Sequence, residues 1–512
     1  MAAKVVKRCA VDRVDLRHSL EREWRRAQRD RGPVVKARLS LIVRCGGRDA
    51  RAKLADKPPP RLAFWFHRAS GTVSSPCWSS RREEKGCGDV RIGLVGGMAN
   101  NMYCLTRVLR HQGYNAEYVE DPQDTFLMSQ PLWEEVALSL DGRAFGADQA
   151  ALRTSPQLAV NSGWRPPRWV IRPAEAGRPR AGSRTRIILR RRQRRMRSRM
   201  AEALSLEPRA EEIASPVLVE QLASYDRVVA CGTRVIEALL SGAPYVFWPH
   251  GGDVHLLPFR HDTPIHDAFA RMIQLSVTRA SSAGTHDPTI AARLEELGRP
   301  APIPYLPFPI DVDRYSPARP ESAFVESIRA RADGRPILLL CSRQDFFWKG
   351  TDRFARAFAS TVGAGAPLYL VVSPWGDDME ATRRLFSDAG VLQAVQYLES
   401  TVSKPLLRDL YRIADVVVDQ FSPAAAFGTT MLEAMGCGTP VLINLDFGLF
   451  LDRWPAFVPP PVLRASTEEE IADVLRAIAD GSLDTGDLGR AGRAWIEEHH
   501  GPETARLYLG ER

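Results

Sequence analysis

Two doubly wound α/β domains in tandem, facing a central cleft, are the architecture that this 512-residue sequence predicts. Three observations lead there. Short, continuous apolar runs alternate with amphipathic stretches, the pattern of parallel strands covered by helices on both faces. Several of those runs end in glycine-bearing turns just where a helix begins. The rhythm then restarts near residue 321, which leaves each half enough chain for a core of its own.

Taken in order, residues 1–88 are rich in Arg, Lys, Pro and Ser and read as a basic N-terminal extension with little core. Periodicity opens with "RIGLVGG", Arg91 to Gly97, a buried strand ending in glycines. The helix "NNMYCLTRVLRHQGY" follows, with Met102, Leu105, Val108 and Leu109 on one face and Gly113 beyond its end. "NAEYVED" is the next strand, so the unit is a right-handed βαβ. Within this first domain, 89–320, the stretch from about 122 to 200 is irregular and basic and reads as an insertion. Strands are expected again at "YDRVVACG", "PYVFWPHGGD", "IQLSVTRAS" and "PIPYLPFPID". The second domain, 321–490, places strands at "PILLLCS", "LYLVVS", "VQYLES", "VVVDQF" and "PVLINLD", with helices such as "DRFARAFAST" and "KPLLRDLYRIA" between them.

A hydrophobic share of 44% and a charged share of 26% are those of an ordinary globular protein. The longest apolar runs are too short to cross a bilayer, and the first residues lack the apolar core of a secretory signal. Eight scattered cysteines without a CxxC pair fit a reducing, cytoplasmic setting. The net charge of +9 is local: Arg178 to Arg199 holds eleven arginines and no acid, so the remainder is about −2, from 9 minus 11. That run fits a solvated loop, an anionic lipid surface or nucleic acid. It lacks the interleaved aromatics of a nucleic-acid module, so no nucleic-acid partner is expected, whereas attachment to the inner face of the plasma membrane is.

Ligands of doubly wound folds sit beyond the carboxyl ends of the strands, and four constellations fall there. "VGGMANN" offers backbone amides and a helix N-terminus to an anion, around Gly97, without the GxGxxG of a dinucleotide site. "WPHGGD" carries His250 and Asp253. "CSRQDFFWKGTD" presents Arg343 and Lys349, a planar fork and a point charge suited to a diphosphate. "FGTTMLEAMGCGTPVL" opens a short helix at Gly428, Thr429 and Thr430 and puts one carboxylate, Glu433, in an otherwise apolar run. Such a charge needs a partner, either from the protein or from a ligand in the cleft.

The last two constellations, with "LYRIADVVVDQFSPAAAFGTTMLEAMGCGTPVL" in the right order and spacing, resemble the C-terminal domain of retaining GT-B glycosyltransferases of family 4. "PFPIDVDRYSP" is similar to the interdomain linker of that family, and the resemblance runs over roughly residues 91 to 500. It implies a GT-B fold of two Rossmann-like domains and transfer of a hexose from a UDP- or GDP-sugar to a carbohydrate or glycolipid acceptor. It also implies that Arg343 and Lys349 hold the donor diphosphate, that amides at Gly428, Thr429 and Thr430 hold phosphate, and that Glu433 meets the ribose. His250 would stand near the donor sugar, and Gly97 in the glycine-rich first loop. Front-face displacement with retention would need no metal cofactor. The final residues, 491–512, would form a helix packing back on the first domain, anchored by Trp495 and Leu507.

One position departs from the family. The first Glu of E-x7-E falls on Ala425, so the usual contact to sugar hydroxyls is missing, with Asp419 a candidate substitute. Two other readings stand beside the enzyme. His250, Asp253, His255, His261 and His266 are dense enough for a metal-dependent hydrolase, and Ala425 is compatible with a non-catalytic nucleotide-sugar-binding protein. The DxD of "IDVDR" sits in the linker, away from any phosphate loop.

Overall fold

The computed structural model describes residues 90–121, 124, 126–138, 163–173, 213–320, 322–422 and 426–510. The basic extension, the arginine run and Ala425 lie outside the described residues. All those described belong to one unit, Ser79–Arg512.

Two six-stranded sheets, all parallel, carry the fold. The first contains β1 (Ile92–Val95), β2 (Ala116–Val119), β3 (Val170–Ile171), β4 (Arg227–Cys231), β5 (Tyr245–Trp248) and β6 (Ser282–Ala283), in the order β3-β2-β1-β4-β5-β6. The second contains β7 (Ile337–Leu340), β8 (Tyr369–Val372), β9 (Val395–Tyr397), β10 (Val416–Val418), β11 (Val441–Ile443) and β12 (Leu463–Arg464), in the order β12-β11-β10-β7-β8-β9. The central strands are buried at every position, as sheets with helices on both faces require. Aromatic side chains such as Phe354, Phe358 and Phe386 fill one face of the second sheet.

The strand order reverses between β1 and β4 in one sheet and between β7 and β10 in the other. Chains leave such a pair of strands in opposite directions and open a crevice beyond their carboxyl ends. Gly96 and Gly97 follow β1 there, Arg343 and Lys349 follow β7, and Asp419 follows β10. At Gly96 the backbone is left-handed (φ 122°), and a side chain would sit 2.8 Å from the Cys231 carbonyl oxygen at the end of β4. Only glycine lets the two loops approach so closely.

Two expected strands are something else. "IQLSVTRAS" is the end of the helix Pro264–Arg279, and the strand is the shorter Ser282–Ala283 beyond it. Ile273 and Val277 are buried and Gln274 caps the Pro258 carbonyl, a helical spacing that β-branched residues disguise. "PIPYLPFPID" forms no strand; its prolines cannot donate to a ladder, and it makes a single bridge, Thr285 to Tyr305. The region read as an insertion contributes β3, an edge strand paired with β2, and the helix Pro131–Glu135.

At the C-terminus the helix Thr485–His499 packs on the helix Thr429–Gly436 in the second domain, with Arg493 donating to the Val312 carbonyl of the linker, and the following 3-10 segment, Pro502–Leu509, packs on the first. Its anchor there is Tyr508 rather than Leu507. Tyr508 is 0% exposed, packs edge-on against Trp248 at 4.8 Å and donates to the Pro307 carbonyl at 3.0 Å. Trp495 is buried in the second domain and donates to the Val458 carbonyl. No helix among the described residues is long and apolar enough to cross a membrane.

His500 sits between these parts. Its Nδ1 lies 2.8 Å from the Phe308 carbonyl, its Nε2 lies 3.0 Å from the Tyr305 hydroxyl, and burial pulls its pKa from 6.5 to about 3. Below pH 6.5 the unfolded chain therefore takes up a proton that the folded chain refuses, and stability falls with pH until about pH 3. His500→Gln is expected to make the acid limb of urea-unfolding stability shallower by about 1.4 kcal/mol per pH unit between pH 6 and 4.

Candidate functional site

The second sheet's switch point brings together two cations and a helix end on the loops after β7 and β10. Arg343 is 44% exposed, with its Nε 3.7 Å from Asp345 Oδ2, too far for a hydrogen bond. Asp345 is otherwise engaged, accepting from the Phe347 and Trp348 amides and so bracing the loop that carries Lys349. Lys349 donates its ammonium to Gln420 Oε1 at 2.7 Å and lies 3.9 Å from Asp419 Oδ1. Gly350 then turns the chain in a left-handed conformation (φ 62°), where a side chain would sit 2.7 Å from the Phe421 carbonyl carbon. That close approach seats the loop after β7 on the loop after β10, and the Phe421 amide donates to the Lys349 carbonyl at 2.7 Å.

Gln420, which sequence reasoning missed, ties these parts together. Its Oε1 accepts from Lys349, and its Nε2 donates to the Ala426 carbonyl three residues before the helix Thr429–Gly436 begins. No side chain caps that helix at Gly428, so its first amides and the positive end of its dipole are open to an anion. Thr429 and Thr430 flank that end, half-buried. Beside Gln420, Asp419 is buried with both oxygens lacking a hydrogen-bond donor, and burial raises its pKa against the pull of Lys349. A carboxylate so enclosed is poorly placed to replace the Glu missing at 425.

Glu433 is the main correction. It is 5% exposed, and protein groups occupy all of its acceptor positions. The Lys404 ammonium donates to Oε1 at 2.5 Å and Oε2 at 2.6 Å, the Tyr315 hydroxyl donates to Oε1 at 3.1 Å, and the Tyr411 hydroxyl donates to Oε2 at 3.1 Å. The carboxylate is thus an internal ion pair rather than an open ribose contact. The signal was present in "KPLLRDLYRIA": Lys404, Arg408 and Tyr411 share one face of the helix Lys404–Ile413, a cationic and hydroxyl-bearing stripe that needs an acid opposite it. Arg408 stacks over the Tyr315 ring at 5.6 Å, which brings the interdomain linker into the same cluster.

From the first sheet, His250 follows β5 with Nδ1 3.3 Å from Asn101 Nδ2; burial lowers its pKa to about 3. Gly97 lies in the loop before Asn101, against Ser129. Asp253 does not face the cleft; it accepts from the His250 and Gly251 amides, and burial raises its pKa to about 6. The histidine-rich stretch disperses. His261 pairs with Asp267 and His266 with Asp262 at the surface, while His255 lies by Thr289. Among the described residues no three His, Cys, Asp or Glu side chains converge as metal ligands. In the linker DxD, Asp311 pairs with Arg107 and Asp313 is exposed.

His286, also missed, joins the two domains at the helix end. Its ring stacks on Phe427 (5.3 Å, 28°), and its Nε2 lies 3.3 Å from the Phe427 carbonyl. A second seam lies at Ser403, whose hydroxyl donates to the Val136 carbonyl and accepts from the Leu138 amide.

Residues 326–450, which hold Arg343, Lys349, Gln420 and the helix Thr429–Gly436, match the family described as glycosyl transferases group 1. Over 216 residues it is 24% identical to a GDP-mannose-dependent monoacylated alpha-(1-6)-phosphatidylinositol monomannoside mannosyltransferase of Corynebacterium glutamicum, covering 41% of this chain and 54% of that one. Over 131 residues it is 33% identical to a D-inositol 3-phosphate glycosyltransferase of Arthrobacter sp., covering 25% and 30%. The chain thus spans about half, or less, of the length of these curated relatives. Among solved structures, HepE of Anabaena in complex with UDP and glucose superposes with a TM-score of 0.50 at 14% identity, covering 82% of this chain and 98% of that one. The fold is accordingly GT-B, two Rossmann-like sheets about a cleft.

The ion pair inside the matched segment makes a test of its own. Lys404→Met leaves a buried, unpaired carboxylate and is expected to cost about 3–5 kcal/mol. Lys404→Met with Glu433→Leu should recover most of that loss in chemical denaturation, because an apolar pair removes the desolvated charge.

Proposed function

We propose that the protein is a glycosyltransferase that moves a hexose from a UDP- or GDP-sugar to a carbohydrate or glycolipid acceptor. The observation that carries this reading is the link from Lys349 through Gln420 to the uncapped helix Thr429–Gly436, with Arg343 beside it. Two cations and a helix N-terminus at one switch point suit a diphosphate, and they lie in the segment that matches the group 1 family. Two proteins that the chain resembles, one GDP-mannose-dependent and one solved with UDP and glucose, support a nucleotide-sugar donor.

In this reading Arg343 and Lys349 offset the charge that develops on the departing diphosphate, and the amides of Gly428, Thr429 and Thr430 hold its oxygens. His250 stands at the sugar and Gly97 lines the facing loop. Fixed cations at the leaving group call for no metal cofactor, and front-face displacement retains the anomeric configuration. Glu433 is not given to the ribose; it fixes the pose of the helix. The arginine run Arg178–Arg199 supports attachment to an anionic membrane surface, where each cation gains about 1 kcal/mol.

Thermal shift with UDP, GDP and their sugars tests the donor site. A ligand at a hundredfold excess over its Kd stabilises the folded chain by about 2.7 kcal/mol. A shift is expected in the parent and its loss in Arg343→Ala and Lys349→Ala, with nucleotide release by Lys349→Ala slowed about 10²–10³-fold. A parent that bound donor and never released nucleotide would be a binding protein on the same scaffold.

A further inference from the structure

Two imidazoles of the first domain each turn one unpartnered nitrogen inward. Both residues keep a partly exposed edge, but His250 Nε2 and His286 Nδ1 are buried and have no hydrogen-bond partner among the described residues. Such nitrogens are costly to leave unsatisfied. Their tautomers follow from the groups on the opposite side of each ring. The Asn101 amide nitrogen, 3.3 Å from His250 Nδ1, can only donate, so Nδ1 is bare and Nε2 carries the hydrogen. The Phe427 carbonyl, 3.3 Å from His286 Nε2, can only accept, so Nε2 carries the hydrogen and Nδ1 is bare. Burial keeps both rings neutral by lowering their pKa values, and the two rings are close enough for His286 to lower that of His250 further.

One donor and one acceptor are therefore offered by the first domain. A phosphate oxygen would satisfy His250 and leave His286 bare; a hydroxyl group serves both. The place is also informative. His286 stacks on Phe427, the residue before Gly428 at the anion-accepting helix end, while His250 closes β5 of the facing sheet. On the nucleotide-sugar reading, a sugar linked to a diphosphate at that helix end would be reached from both.

We propose that His286 is a specificity-determining residue: its Nδ1 accepts a hydroxyl hydrogen from the transferred sugar while His250 Nε2 donates to a sugar oxygen. The inference rests on the nucleotide-sugar reading above and adds to it the residue that recognises the sugar. Gln and Asn separate the two nitrogens of His286. Glutamine places its amide near Nε2 and keeps the Phe427 contact, whereas asparagine places an oxygen near Nδ1.

The experiment is titration calorimetry of the full chain with UDP, UDP-glucose, GDP and GDP-mannose, on the parent, His286→Gln and His286→Asn. His286→Gln is expected to bind the nucleoside diphosphate as the parent does and the matching nucleotide-sugar about tenfold more weakly, the loss of one good hydrogen bond. His286→Asn should recover part of that loss. Equal nucleotide-sugar affinity in parent and His286→Gln would overturn the proposal and leave the two nitrogens to a structural water. Absence of any nucleotide binding by the parent would overturn the donor-site reading and this inference with it.

Discussion

Four hydrogen bonds to one carboxylate hold the cleft together. Glu433 receives Lys404, Tyr315 and Tyr411 in a space that excludes water. Those donors come from a helix of the second domain and from the linker, so the pair fixes the helix Thr429–Gly436 relative to both. The same helix presents its uncapped end toward Gln420 and Lys349. A helix end is useful to an anion only if it cannot swing away, and a buried, fully satisfied ion pair gives that rigidity at the expense of desolvating two charges. Glu433 thus acts on the site at one remove.

The second constraint is the seam between domains. Three of its contacts, His286 against Phe427, Ser403 against Val136 and Leu138, and His500 with Tyr305 and Phe308, are specific and partly polar. Two of the three meet the ends of helices that flank the candidate site. His286 belongs to one domain and the helix Thr429–Gly436 to the other, so under the proposal above the sugar would be bound by both domains at once.

Much of the architecture was legible because parallel strands buried on both faces leave continuous apolar runs, and nine of these sit where expected: the strands at Ile92, Ala116, Arg227, Tyr245, Ile337, Tyr369, Val395, Val416 and Val441. The failures share a cause. "IQLSVTRAS" has strand-like composition, yet tertiary packing on a helical period decides it, and proline content denies "PIPYLPFPID" a ladder. At the site, Arg343 and Lys349 were readable as two cations on the loop that follows a predicted strand. For Glu433 the stripe of Lys404 and Tyr411 was legible on its own helix but its pairing was not, since Lys404 and Tyr315 stand 29 and 118 residues away. Gln420 and His286 were invisible for a related reason: a neutral amide and an isolated histidine carry no pattern until the fold shows what each ring or amide nitrogen faces.

A crystal structure of the full chain with bound UDP or GDP tests the central claim most directly. The account predicts the diphosphate between Arg343, Lys349 and the amides of Gly428 to Thr430, with the Lys404–Glu433 pair intact behind the helix. A nucleotide found elsewhere, or bound there only after Glu433 has left Lys404 for the ribose, would contradict it.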